Sequence, residues 1–176
     1  MDLEATLRTL LVFGLFPAWL AAGFADWLCH RASAIERTSG ARESRLHFLL
    51  HLEIAVPLVL ALFFEINALL LAIMTVAVLA HIATSLWDTR RAQPLRYISP
   101  LEQHVHSWLE MLPVFALIIV ILLHRGAIAA PEWTLQPRVN DLPGGAVATT
   151  LILLAAAFAL IGEEWFRPVR VSHRRP

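Results

Sequence analysis

Ionisable side chains recur at helical spacing along a chain that is otherwise strongly apolar. Asp26 and His30 are four residues apart, as are His47 and His51, and Glu53 follows two residues later. His81 and Asp88 are seven apart, and Glu102, His106 and Glu110 form a stripe at i, i+4 and i+8. In an α-helix residues three or four apart share a face, and seven residues fall only about 20° short of two full turns. Each stretch therefore presents imidazole and carboxylate from one side of one helix. Glu53 lies about 200° around the helix from His51 at 3.6 residues per turn, so it is expected behind a ligand or facing another helix. His104 faces away from His106.

Such a donor set suits a dinuclear metal centre. Two metals about 3.5–4 Å apart need six or more protein ligands, which a helical bundle supplies from facing helices. Imidazole suits iron, zinc, copper or nickel, and carboxylates bridge the ions and balance their charge. The candidate metal ligands are Asp26, His30, His47, His51, His81, Asp88, Glu102, His106 and Glu110. Glu110 and Glu53 are also the candidate catalytic proton acceptors. Soluble di-iron bundles use Glu-x-x-His pairs at i, i+3, whereas the pairs here are at i, i+4. His47–His51 resembles the HxxxH box of the histidine-cluster membrane desaturases and hydroxylases. Two HxxHH boxes follow in that pattern and none occurs in this chain, so the likeness is one of chemical class and no family's ligand set is transferred.

The elements that position these groups follow from composition. Of 176 residues 58% are hydrophobic and 16% charged, against roughly 45–50% and about 25% in soluble domains. Mean hydropathy is +0.65. Five apolar runs, about Arg8–His30, Leu46–Phe64, Ala68–Trp87, Leu101–Leu123 and Ala146–Phe166, approach the roughly 20 residues that cross a bilayer. The expected fold is all-α, a single integral membrane bundle of five transmembrane helices. Only Glu65, Ile66 and Asn67 separate the second and third runs; as one helix these would be about twice as long as the membrane is thick, so a tight hairpin is expected there. Arg125–Gly145, with Pro131, Pro137, Pro143 and the pair Gly144 and Gly145, reads as an irregular loop outside the membrane. The acidic start at Asp2 and Glu4 argues against a cleaved signal peptide, and the first run is kept as a true span.

All 14 basic residues are Arg. Arg31, Arg37, Arg42, Arg45, Arg90, Arg91, Arg96, Arg167, Arg170, Arg174 and Arg175 fall on one side of such a bundle, against Arg8, Arg125 and Arg138 on the other. The positive-inside rule then sets the N-terminus outside and the C-terminus in the cytoplasm, with Trp27, Trp87, Trp108 and Trp165 at the cytoplasmic interface. On that topology the ionisable groups of four spans fall in one slab, with His51, His81 and His106 about 8–11 Å inside the boundary at 1.5 Å per residue.

Plainer roles compete at single positions. His47 can lie among headgroups beside Arg45, Asp88 can cap its helix or pair with Arg90 or Arg91, and Glu102 can serve the first turn of its helix. Glu163 and Glu164 are expected to pair with loop arginines, and Glu65 and Asn67 to satisfy the hairpin backbone. Pro17, Pro57 and Pro113 are expected to kink their helices. Cys29, the single cysteine, reads as a packing residue and excludes a disulfide framework. His124 and His173 stand apart from the layer.

The leading expectation is an iron-dependent membrane oxidoreductase of hydroxylase or desaturase type. It would carry two metal ions and act on a lipid-soluble substrate, with an electron donor at the cytoplasmic face of a bacterial inner membrane. A zinc-dependent hydrolase is the second enzymatic reading, with zinc activating a water. A metal-ion or proton transporter is a third, although Leu69–Ala80 and Val114–Leu123 leave the outer half almost purely aliphatic. A bis-His haem electron carrier is a fourth, which leaves Asp26, Asp88 and Glu110 without a task. Homo-oligomers fit any of these. Zero formal net charge gives no reason to expect a nucleic-acid partner.

Overall fold

The computed structural model describes residues 2–139, 142 and 144–172, with side chains as far as Arg167. Pro143, His173, Arg174, Arg175 and the side chain of Arg170, all used in the sequence reading, lie outside the described residues. Five helices are long and apolar enough to cross a membrane: Leu3–Ala32, Ala41–Phe63, Ala68–Ala92, Pro100–Leu123 and a fifth that begins at Gly144. There is no strand among the described residues, only an isolated bridge between Phe64 and Pro137.

Most of these helices run past the apolar stretches because polar caps hold their ends. The Asp2 carboxylate accepts from the Glu4 N–H, the Asn67 side chain from the Leu70 N–H, and Ser99 Oγ from the Glu102 N–H. Pro100 follows Ser99 where its missing N–H costs nothing. Gly40 stands before the second helix at φ +64, a conformation cheap only for glycine. The first helix carries a π-helical turn at Leu11–Leu15, where the Phe16 N–H donates to the Leu11 carbonyl. Pro17 comes next, and its ring crowds the carbonyl of Phe13, which this widened turn relieves. Gly144 and Gly145, expected in the loop, open the fifth helix instead.

The second and third helices run antiparallel, with His47 opposite Asp88 and Glu53 opposite Thr84. The second also packs on the fifth, the first on the fourth and fifth, and the third on the fourth, which closes a ring of five. One half of its interior is apolar, built on Trp19, Ala55, Leu112 and Leu154 from four different helices. The turn between the second and third helices closes that half. Residues 131–139 lie across it: the Glu65 N–H donates to the Gln136 carbonyl, the Leu69 N–H to that of Glu132, and Asn67 Nδ2 to that of Thr134. Glu65 accepts from the Val139 N–H, and Arg138 Nη2 donates to the carbonyls of Ala61 and Phe64 at the end of the second helix. Every polar backbone group so used is one that hydrocarbon could not satisfy.

The other half of the interior is polar. His30, Glu43, His47, His81, Asp88, Arg96, Glu102 and Glu164 are all buried there. Large apolar side chains such as Phe13, Val76, Leu79 and Ile152 face outward instead. That inversion is stable only where lipid, not water, surrounds the helices.

Candidate metal centre

The first and fourth helices meet at the polar half and bring four donors together. Asp26, His30, Glu102 and His106 each offer an atom within 4.8 Å of the others. Asp26 Oδ1 lies 3.5 Å from His30 Nε2 and 3.0 Å from His106 Nε2, and His30 Nε2 lies 3.4 Å from Glu102 Oε1. Despite these short distances, Asp26 Oδ1 and His30 Nε2 are buried without a hydrogen-bond partner. Metal–ligand bonds of about 2.0–2.2 Å to nitrogen and oxygen put neighbouring donors of one ion roughly 3.0–3.5 Å apart. The three separations match the edges of such a coordination shell, and they are equally those of ion pairs to protonated imidazoles.

Ring orientation points the same way. His30 Nδ1 lies 3.0 Å from Glu164 Oε2, His51 Nδ1 3.0 Å from the His47 carbonyl, and His81 Nδ1 3.2 Å from the Leu50 carbonyl. A carbonyl or carboxylate oxygen can only accept, so in each of these contacts Nδ1 is the donor. Metal-binding histidines are held in this way, with the far nitrogen donating to a carboxylate or backbone oxygen. Trp19, Asp26, His47, His51, His81, Ser85, Asp88 and His106 line a cavity of about 30 Å³, room for one or two water-sized occupants.

His47 is placed differently. Its Nδ1 is 2.6 Å from Glu164 Oε1 and its Nε2 3.2 Å from Asp88 Oδ2, and its ring stacks on His30 at 4.3 Å between centroids. With a carboxylate at each nitrogen, His47 bridges Glu164 on the fifth helix to Asp88 on the third. It is buried and not among headgroups, and Asp88 faces it instead of capping its own helix or pairing with Arg90 or Arg91. His30 and His47 also group with Glu43 as possible donors to one ion.

Glu102 combines the two expected roles. Its N–H is capped by Ser99 in the first turn, while its carboxylate is buried against His30 and Arg96. Arg96 Nη1 and Nη2 donate to Glu102, and Nε and Nη2 to Glu43. Arg96 lies in the connection between the third and fourth helices. Burial works against its charge, but the hydrogen bonds to Glu43 and Glu102 outweigh it and hold its pKa above the ordinary arginine value.

Glu53 and Glu110 stand at the margin of the cavity. Glu110 accepts from the hydroxyl of Ser85, which lines it. Glu53 Oε1 accepts from Thr84 at 2.7 Å, while its Oε2 is unpartnered 3.7 Å from His81 Nδ1. His104 is exposed, and His124 lies at the far end of its helix, its ring on the Val120 carbonyl. The nine expected ligands thus occupy one layer, divided among the Asp26–His30–Glu102–His106 group, the His47–Asp88 bridge, and His51, His81 and Glu110 around the cavity.

Three residues of this layer were not anticipated: Glu43, Arg96 and Glu164. Glu164 corrects the expectation that it pairs with loop arginines. Glu163 pairs with Arg31 and Arg167, which are helical and not in loops, whereas Glu164 is fully buried between His30 and His47, and Arg167 reaches it only at 3.8 Å. Glu43 continues the His47–His51 stripe one turn backward, a signal present in the spacing.

Charge balance states what the layer lacks. Around His30 and His47 alone, Asp26, Glu43, Asp88, Glu102 and Glu164 bring five carboxylates, against the guanidiniums of Arg96 and, at a distance, Arg167. Three negative charges remain, and in hydrocarbon they must be met by bound cations or by protonated imidazoles. No protein-family model, curated protein or solved structure matches the chain.

Proposed function

We propose that this chain is an integral membrane metalloprotein with a dinuclear His/carboxylate centre. In this reading it is an iron-dependent oxidoreductase that hydroxylates or desaturates a lipid-soluble substrate. The observation that carries the reading is the pair of buried, unpartnered donors Asp26 Oδ1 and His30 Nε2, held with His106 and Glu102 at coordination-shell distances. Asp26, His30, Glu102 and His106 would hold one ion. His51, His81 and Asp88, around the adjoining cavity, would supply the second. Iron bound there supplies oxygen activation, for which mixed imidazole and carboxylate ligation with open positions is suited.

The remaining residues have tasks that need no metal to describe. Glu164 fixes the His30 tautomer, so the lone pair stays on Nε2. Ser85 orients Glu110, and Thr84 orients Glu53 so that its free Oε2 can take a proton beside His81. The apolar half, closed by Trp19 and Leu112, keeps water from one side of the cavity. The arginine-rich connections are read as cytoplasmic, with the N-terminus outside and the membrane as the bacterial inner membrane, so a soluble electron donor would approach from that face.

The same donors suit zinc, whose tetrahedral shell has edges of similar length; Glu110 or Glu53 would then act as general base in a hydrolase. Elemental analysis of detergent-purified protein, with absorption spectra taken under air and anaerobically, separates the two. Iron with an oxygen-sensitive band supports the oxidoreductase. A colourless zinc protein selects the hydrolase, a Soret band selects a haem carrier, and metal-free protein overturns the centre.

A further inference from the structure

A second cavity, of about 150 Å³, lies between the first and fifth helices and shares two walls, Trp19 and His51, with the cavity of the polar layer. Its remaining walls are apolar, among them Phe24, Ala157 and Leu160, and it holds about five water-sized groups. Gly23 makes room for it: a Cβ built there would meet only His51 Nε2, at 4.0 Å. The cavity is apolar except at its inner end, where Trp19 and His51 stand. The Trp19 indole N–H is buried, with the residue 7% exposed, and donates to nothing. His51 holds its Nδ1 proton on the His47 carbonyl, which leaves the lone pair of Nε2. A buried indole N–H usually has an acceptor, and among the described residues that of Trp19 has none.

We propose that this cavity binds the oxygen-bearing end of a lipid-soluble aliphatic molecule, which enters between the first and fifth helices and accepts a hydrogen bond from the Trp19 indole beside His51. The chain's own chemistry defines that ligand: one acceptor oxygen at the tip, followed by a slender apolar tail. A bulky or charged ring does not fit 150 Å³ lined in this way. The inference rests on the neighbouring centre for what would happen to the ligand, but binding itself is independent of metal. Trp19 and His51 separate the two cavities, so a molecule held there presents its first carbons to the metal layer.

The test uses the purified full chain in detergent, with α-bromopalmitic and ω-bromopalmitic acid as probes, because bromine quenches tryptophan only at contact. The expected result is saturable quenching by the α-bromo acid that is absent in Trp19→Phe and clearly smaller for the ω-bromo acid. Gly23→Leu fills the cavity and excludes several methylenes, so it should weaken the apparent affinity about a hundredfold. Ala157→Leu fills the same space from the fifth helix, should Gly23→Leu fail to fold. Quenching that rises linearly without saturation overturns the site. So does saturable quenching that Trp19→Phe leaves intact, or an affinity that both cavity-filling variants leave within about threefold. Metal-free protein that still quenches saturably keeps this site while the proposed centre falls. Metal-loaded protein without saturable quenching does the reverse.

Discussion

Replacing Arg96 by Met should cost the protein about 3–5 kcal/mol of stability. The guanidinium is 2% exposed and donates to both Glu43 and Glu102, which are equally buried. Removing one partner of a buried pair typically costs this much, because the charge left behind is uncompensated. The cost falls mainly on Glu43: its remaining contact is His47 Nε2 at 3.9 Å, whereas Glu102 keeps His30 Nε2 at 3.4 Å. Since 1.4 kcal/mol is tenfold, the unfolding equilibrium should shift by roughly two to three and a half orders of magnitude. Unfolding in mixed micelles of rising denaturing-detergent fraction, followed by far-ultraviolet circular dichroism, measures it. Adding Glu43→Gln to Arg96→Met removes the orphaned charge and should recover most of the loss, leaving about 1–2 kcal/mol for an unsatisfied amide. An Arg96→Met protein within about 1 kcal/mol of the parent would refute the argument, as would a double variant no more stable than the single one.

Asp26→Ala and His106→Ala should each lose metal while the helical content measured by circular dichroism is retained, since each removes a donor of the four-residue group. Glu164→Gln should keep the metal but bind it about 10–100-fold more weakly in competition with a chelator, because it frees the His30 tautomer. Asn67→Ala removes the cap at the start of the third helix and the tie to Thr134, at a cost of about 1–2 kcal/mol in the same micelle assay and with no change in metal content.

The five helices were legible because crossing a bilayer demands long apolar runs, and only their ends were misjudged. Residues 41–45 and 88–92 fall outside the expected spans, yet they are helical, and the first of these extensions carries Glu43 into the layer. The histidines were legible for a related reason. An ionisable group deep in an apolar run has no cheap explanation, so its spacing already carries information. Glu164 and Arg96 lie at a span end and in a connection, where charges belong in any membrane protein and spacing does not distinguish them, and Glu43 continues the His47–His51 stripe but precedes the apolar run. Only the packing of the fifth helix against the first and second carries Glu164 between His30 and His47. The clamp of Arg138 on the hairpin was equally invisible, since it joins residues more than 70 positions apart.

The dinuclear centre is tested most directly by X-ray absorption at the edge of whichever metal copurifies with the chain. The expected spectrum has nitrogen and oxygen neighbours alone at about 2.0–2.2 Å and a second metal at about 3.5–4 Å, with the first shell altered in His30→Ala. A chain that copurifies with no metal, a shell containing sulfur, or a spectrum unchanged by His30→Ala would contradict it.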